Sequence, residues 1–175
     1  MEHYNTKIQI DKKVIDDVFA NIKPDTKMLV FGLGYDSKMW YEGTCKNTYF
    51  VEDKDEYIQL NDIPASNIIK YEYKTTCRDS MTLPDSELIK FSVPEKLLEL
   101  APFDIIIVDG PEGWSLDKPG RLIPCYWSSL LSKKGTIIYV DDSSRALEDY
   151  CVHKFFESHG KEIFPERSRC TKMRV

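Results

Sequence analysis

The sequence predicts a single α/β domain over residues 1–175, a mostly parallel sheet with helices on both faces and a C-terminal antiparallel hairpin. Three observations predict it. The run Lys27-Met-Leu-Val-Phe-Gly-Leu-Gly-Tyr-Asp-Ser37 is an apolar strand ending in a Gly-x-Gly turn, the form of a strand that delivers a ligand to its carboxyl end. Eighteen residues past Gly34, a second apolar run, Thr48-Tyr-Phe-Val51, closes on Glu52-Asp53. The run Phe103-Asp-Ile-Ile-Ile-Val-Asp109 is almost wholly β-branched and apolar, as expected of a central parallel strand covered on both faces.

The remaining elements follow from periodicity. Val14, Ile15, Val18, Phe19 and Ile22 recur at helical spacing over 11–22, and Pro24-Asp25 stops that helix before a first strand at 28–32. A short helix opens at Ser37 and runs through Tyr41, a second strand covers 48–52, and a helix covers 55–60. The third strand is expected over Asn67–Tyr73. Residues 76–94 are polar and proline-punctuated, so they read as a loop with at most one extra element. A helix at 94–100 leads into the strand at 103–109. A loop at 110–120, a helix near 121–132 and a fifth strand at 135–141 come next. Ala146 to Ser158 reads as an amphipathic helix, and Glu162-Ile-Phe-Pro with Thr171–Val175 as a closing pair of short strands.

A glycine-ended strand followed by an acid-ended strand describes half of a doubly wound nucleotide-binding fold. The glycines admit the ligand to the backbone, and the acid accepts hydrogen bonds from a ribose diol. Gly32, Gly34, Asp36, Ser37, Glu52 and Asp53 make up this cluster. A dinucleotide site requires a third glycine where Ser37 stands, and Asp36 sets negative charge where a pyrophosphate would lie. S-adenosylmethionine has no phosphate and carries a sulfonium and an ammonium group, so an acid beside the turn suits it. The pattern therefore favours a Rossmann-like S-adenosylmethionine-dependent methyltransferase fold. The plainer alternative is a simple turn followed by a solvated helix start at Glu52–Glu56. Tyr73 and Thr75, past the third strand, are candidates for the adenine side or for the core.

The formal charge is −5, and basic and acidic residues are interspersed without a basic stripe, which argues against a nucleic-acid partner. Cys45, Cys77, Cys125, Cys151 and Cys170 form no Cys-x-x-Cys pair and read as reduced packing thiols. The first residues lack an apolar signal core, and no run approaches the ~20 apolar residues of a membrane span. A soluble, cytoplasmic protein with no membrane partner is expected. His3, His153 and His159 lie away from the strand ends.

Asp109, Asp141 and Asp142 end two strands that should be neighbours. Three carboxylates converging there repel one another unless something positive intervenes. A divalent cation such as Mg, Mn or Co would meet that need and could lower the pKa of a substrate hydroxyl. Alternatively, one aspartate caps the next helix and another pairs with Arg145. In the loop Gly110–Arg121, Trp114 can stack on a sugar face or fold into the core, and Arg121 can hold a substrate group or one of the acids. Asp109, then Asp142, are the candidates for a catalytic base, with Arg121 and Arg145 positioning them.

Phe31-Gly-Leu-Gly-Tyr-Asp-Ser37 with Met39-Trp40, Val51-Glu-Asp-Lys54, Tyr73-x-Thr75, Val108-Asp-Gly-Pro-Glu-Gly-Trp114, Pro119-Gly-Arg121 and Asp142-x-x-Arg145 together resemble the glucuronoxylan 4-O-methyltransferase family of plants, with related domains in large algal viruses. The resemblance covers about residues 28–156. It implies methylation of a sugar hydroxyl from S-adenosylmethionine, with a divalent cation and a sugar, glycan or nucleotide-sugar as substrate, in a host cytoplasm if the chain is viral. The plant pattern His-Asp-x-Asp-Arg reads here Asp141-Asp142-Ser143-Ser144-Arg145, so a histidine base does not carry over, and the plant anchor and stem have no counterpart in this sequence. The competing readings are a cation-dependent O-methyltransferase of a catechol-like molecule and a nucleotide-binding module without catalysis.

Overall fold

The structure is a computed structural model that describes residues 7–167 and 169–175; His3 lies outside the described residues. Helix α1 (Lys12–Asn21) starts where the Asp11 side chain accepts the Lys13 N–H, and it buries Val14, Ile15 and Val18. Strands β1 (Met28–Phe31), β2 (Thr48–Glu52), β3 (Ile68–Lys70) and β4 (Phe103–Val108) are joined by helices α2 (Ser37–Gly43), α3 (Asp55–Leu60), α4 (Cys77–Ser80), α5 (Asp85–Leu88) and α6 (Glu95–Leu100). Helix α7 (Leu122–Leu131), strand β5 (Ser132–Val140), helix α8 (Ala146–Phe156) and strands β6 (Lys161–Phe164) and β7 (Cys170–Arg174) complete the chain.

The seven strands form one sheet in the order β3-β2-β1-β4-β5-β7-β6. The first five are parallel, and β7 runs antiparallel to both β5 and β6, which is the expected terminal hairpin. Strand alternation divides the core. Leu29 and Phe31 of β1 pack with Ile106, Val108 and Trp127 on one face. Met28 and Val30 pack with Ile105, Ile107, Tyr139 and Trp40 on the other. Both faces of the central strands are therefore dry, as the run in β4 implied.

Three local expectations are corrected. The third strand was expected over 67–73 but pairs only through 68–70, because its one neighbour, β2, ends at Glu52 and the Tyr71 N–H closes the ladder on Glu52 O. Residues 76–94 hold two helical turns, α4 and α5, where at most one element was expected. Strand β5 begins at Ser132, ahead of the expected 135, through an irregular register opposite Phe103–Ile105. All five cysteines are free, with Cys125, Cys151 and Cys170 buried. Among the described residues no helix is long and apolar enough to cross a membrane.

Candidate active site

The carboxyl ends of β1, β2, β4 and β5 open into one cleft of about 450 Å³, walled by segments 32–36, 52–54, 109–114 and 141–142 with Arg121 and Arg145. Its floor depends on two glycines. Gly32 takes φ +108°, and a Cβ there would stand 3.2 Å from Gly110 N; one on Gly110 would stand 2.8 Å from Gly32 Cα. The loops after β1 and β4 thus touch backbone to backbone, a contact that a side chain on either would wedge apart.

Glu52 is buried, and its carboxylate accepts from three amides, those of Leu33 (2.7 Å), Asp53 (2.9 Å) and Lys54 (2.8 Å). Burial pushes its pKa up to about 7, against the pull of the amides. Glu52 therefore ties the glycine turn to the end of β2, and it shares the cleft wall with the neighbouring Asp53. Ser37 is also structural, its hydroxyl accepting the Gly34 N–H at 2.8 Å. Asp36 lines the cleft, accepts the indole N–H of Trp40 at 2.7 Å, and has its pKa raised by burial. Tyr73 and Thr75 stand outside the cleft wall: Tyr73 is buried in the core with a hydroxyl lacking a partner, and the Thr75 hydroxyl donates to Pro119 O at 3.3 Å.

Arg121 organises the acids. Only 3% exposed, it donates from Nη1 to Asp141 O and from Nη2 to Asp109 O (2.7 Å), Asp109 Oδ1 (3.3 Å) and Asp142 Oδ2 (2.6 Å). Arg145 Nη1 reaches the same Asp142 oxygen at 2.8 Å. Asp142 is held at φ +55°, a left-handed conformation uncommon for a residue with a side chain, and so turns its carboxylate onto the two arginines. Asp109 is held more loosely. Burial raises its pKa well above the carboxylate range, Arg121 opposes this, and Asp141, Asp36 and Asp142 add to it. Burial also raises Asp141. Asp109, Asp141 and Asp142 each offer an oxygen within 4.8 Å of the others, a set that fits the oxygen preference of a hard divalent cation.

The loop between β4 and α7 forms one lip. Trp114 is 65% exposed on the cleft, so the core alternative does not hold, and Lys118 Nζ stands 4.8 Å from its ring centre. Glu112 bridges Lys54 (2.5 Å) and Lys118 (2.7 Å), linking this lip to the end of β2. Sequence reasoning missed Lys54, Glu112 and Tyr35, the last a half-exposed ring on the opposite lip with Lys7 Nζ 5.1 Å from its centre. The available signal was position: Tyr35 stands inside the glycine turn and Lys54 directly follows the acid pair. His153 is exposed on α8 and His159 is half-buried; neither lines the cleft.

The family model described as IRX15/IRX15L/GXM matches residues 10–161. Glucuronoxylan 4-O-methyltransferase 3 of Arabidopsis thaliana is 30% identical over 166 residues, covering 82% of this chain and 54% of that protein. Arabinogalactan O-methyltransferase 2 of the same plant is 25% identical over 190 residues, covering 87% and 64%. The chain thus spans somewhat more than half the length of the relatives it matches. A precorrin-6y C5,15-methyltransferase structure from Geobacter metallireducens superposes with a TM-score of 0.57 over 97% of this chain and 89% of that one at 14% identity, a likeness of fold. The fold is the Rossmann-like one of S-adenosylmethionine-dependent methyltransferases.

Proposed function

The chain belongs to the IRX15/IRX15L/GXM family, and from that premise we propose that it is an S-adenosylmethionine-dependent O-methyltransferase acting on a hydroxyl of a sugar or glycan, nucleotide-sugars included. One observation carries the reading: a single cleft holds a glycine turn with an acid beside it, a carboxylate loosely held by a buried arginine, and an exposed tryptophan at the lip. The methyl donor supplies an electrophilic methyl on a sulfonium. The remaining work falls to the protein. Gly32 and Gly34 admit the donor to the backbone, Asp53 accepts from its ribose, and Asp36 complements its positive charge.

Asp109 is the base in this reading. Asp142 is neutralised by two guanidinium groups, whereas Asp109 meets one, at 3.3 Å, beside a hydrogen bond with the Asp141 carboxyl, and burial raises its pKa, which makes its carboxylate the stronger base. Asp109 takes the hydroxyl proton as the oxygen attacks the methyl, and Trp114 covers one sugar face to hold the line of attack. A second reading keeps the three aspartates as ligands of Mg, Mn or Co, supported by their oxygens lying within 4.8 Å of one another.

The test offers labelled S-adenosylmethionine with sugars, nucleotide-sugars, glycans, catechols and RNA, each with and without excess chelator. Transfer to a sugar-containing acceptor is expected, with Asp109→Asn lowering kcat by about 10²-fold or more while S-adenosylhomocysteine affinity stays nearly unchanged. Transfer to a catechol or RNA alone would overturn the acceptor, and donor binding without transfer to any acceptor would favour a non-catalytic module. Full activity in chelator would remove the metal reading and leave Asp109 as a simple base.

A further inference from the structure

Glu148, in the first turn of α8, is fully buried, and neither of its carboxylate oxygens has a hydrogen-bond partner among the described residues. A carboxylate without a partner in a dry site lowers stability, so such a group calls for an explanation. It lies under the Trp114 loop: a Cβ on Gly113 would stand 2.7 Å from Glu148 Oε1 and 3.6 Å from Arg145 Nη1, so only glycine leaves room there. The charges acting most strongly on it are the guanidinium groups of Arg121 and then Arg145. Arg121 has a matching vacancy. Its Nη1 and Nη2 are engaged with the aspartates, and its buried Nε has no acceptor.

A buried donor without an acceptor and a buried acceptor without a donor thus belong to one cluster, joined through Arg145, which stands with Glu148 beside Gly113 and shares Asp142 Oδ2 with Arg121. We propose that Glu148 is a positioning residue that pairs with Arg121 through Nε when substrate is bound, drawing the guanidinium off Asp109 Oδ1, the longest of its contacts at 3.3 Å. The aspartate is released for the acceptor hydroxyl, while Asp142 keeps Arg145 as its counter-ion. This rests on the reading of Asp109 as base.

The experiment compares wild type with Glu148→Gln and Glu148→Ala. In ¹⁵N-labelled protein saturated with S-adenosylhomocysteine and a sugar acceptor, the Arg121 Nε–H resonance, assigned by its loss in Arg121→Lys, should be shifted and protected from exchange. It should move in Glu148→Gln and lose protection in Glu148→Ala. Steady-state kinetics should show kcat reduced about tenfold in Glu148→Gln with KM and cofactor affinity within about twofold, the pattern of a lost transition-state effect. A merely structural role predicts the reverse: removing an unpaired buried charge would leave kcat intact and raise the melting temperature. An Nε–H resonance indifferent to Glu148, or an unchanged kcat, overturns the proposal. If wild type methylates no sugar, the activity reading falls separately, and the Nε–H resonance in the complex of S-adenosylhomocysteine with whichever acceptor is methylated decides the pairing.

Discussion

Two successive acids at the end of β2 have separate tasks. Glu52 and Asp53 share the cleft wall, but the Glu52 carboxylate is consumed by the amides of Leu33, Asp53 and Lys54. Asp53→Ala should therefore weaken S-adenosylhomocysteine binding by roughly 1–3 kcal/mol, the cost of a lost hydrogen bond to a charged group, with the melting temperature near wild type. Glu52→Ala should lower both. Calorimetry paired with thermal denaturation separates the two, and undiminished affinity in Asp53→Ala would withdraw the ribose assignment. The acid pair was legible in the sequence. Its division of labour was not, because which of two neighbours turns inward is set by strand register and by the Leu33 amide, distant in the chain. Arg121 as the hub was equally hidden, since its three aspartates come from two different strand ends.

Where β1 and β4 end, Gly32 and Gly110 keep their backbones in contact. Gly110→Ala would set a Cβ 2.8 Å from Gly32 Cα and 3.2 Å from Phe31 O, both backbone atoms that cannot rotate away. A loss of about 1–3 kcal/mol of stability is expected, with a larger proportional loss of cofactor affinity, read by urea denaturation and calorimetry on the same sample. Wild-type values in both would mean that the loops slide apart freely. At this scale most of the fold was readable, because long apolar runs such as Phe103–Val108 admit one interpretation once helices alternate with them. The helical turns α4 and α5 were missed since four residues carry no periodicity, although Thr76 caps Asp79 N–H and Pro84 precedes α5 as start signals. β3 was expected, but too long, for a different reason: its length was decided by where its single partner stops.

Over the whole molecule, burial lifts the pKa of Asp36, Glu52, Asp109, Asp141 and Glu148 together. The folded chain therefore holds protons that the unfolded chain would release. For Glu52 the associated stability is fully present below its ordinary value of 4.5 and is lost as pH rises through about 7. Partly buried acids such as Glu112, lowered by Lys118 and Lys54, act oppositely and only at more acidic pH. The melting temperature of the ligand-free protein should consequently fall between about pH 5 and pH 7.5, and Asp109→Asn should flatten the decline. A melting temperature that holds or climbs across that interval in scanning fluorimetry would contradict it. The acidic cleft also gives turnover a direction. Under the proposed reading, a sulfonium donor would arrive with a positive charge that favours the deprotonated forms of Asp36 and the clustered aspartates, and the thioether left behind would carry none. On that reading the grip would loosen in the same event that moves the methyl, and the spent cofactor would be the more weakly held occupant.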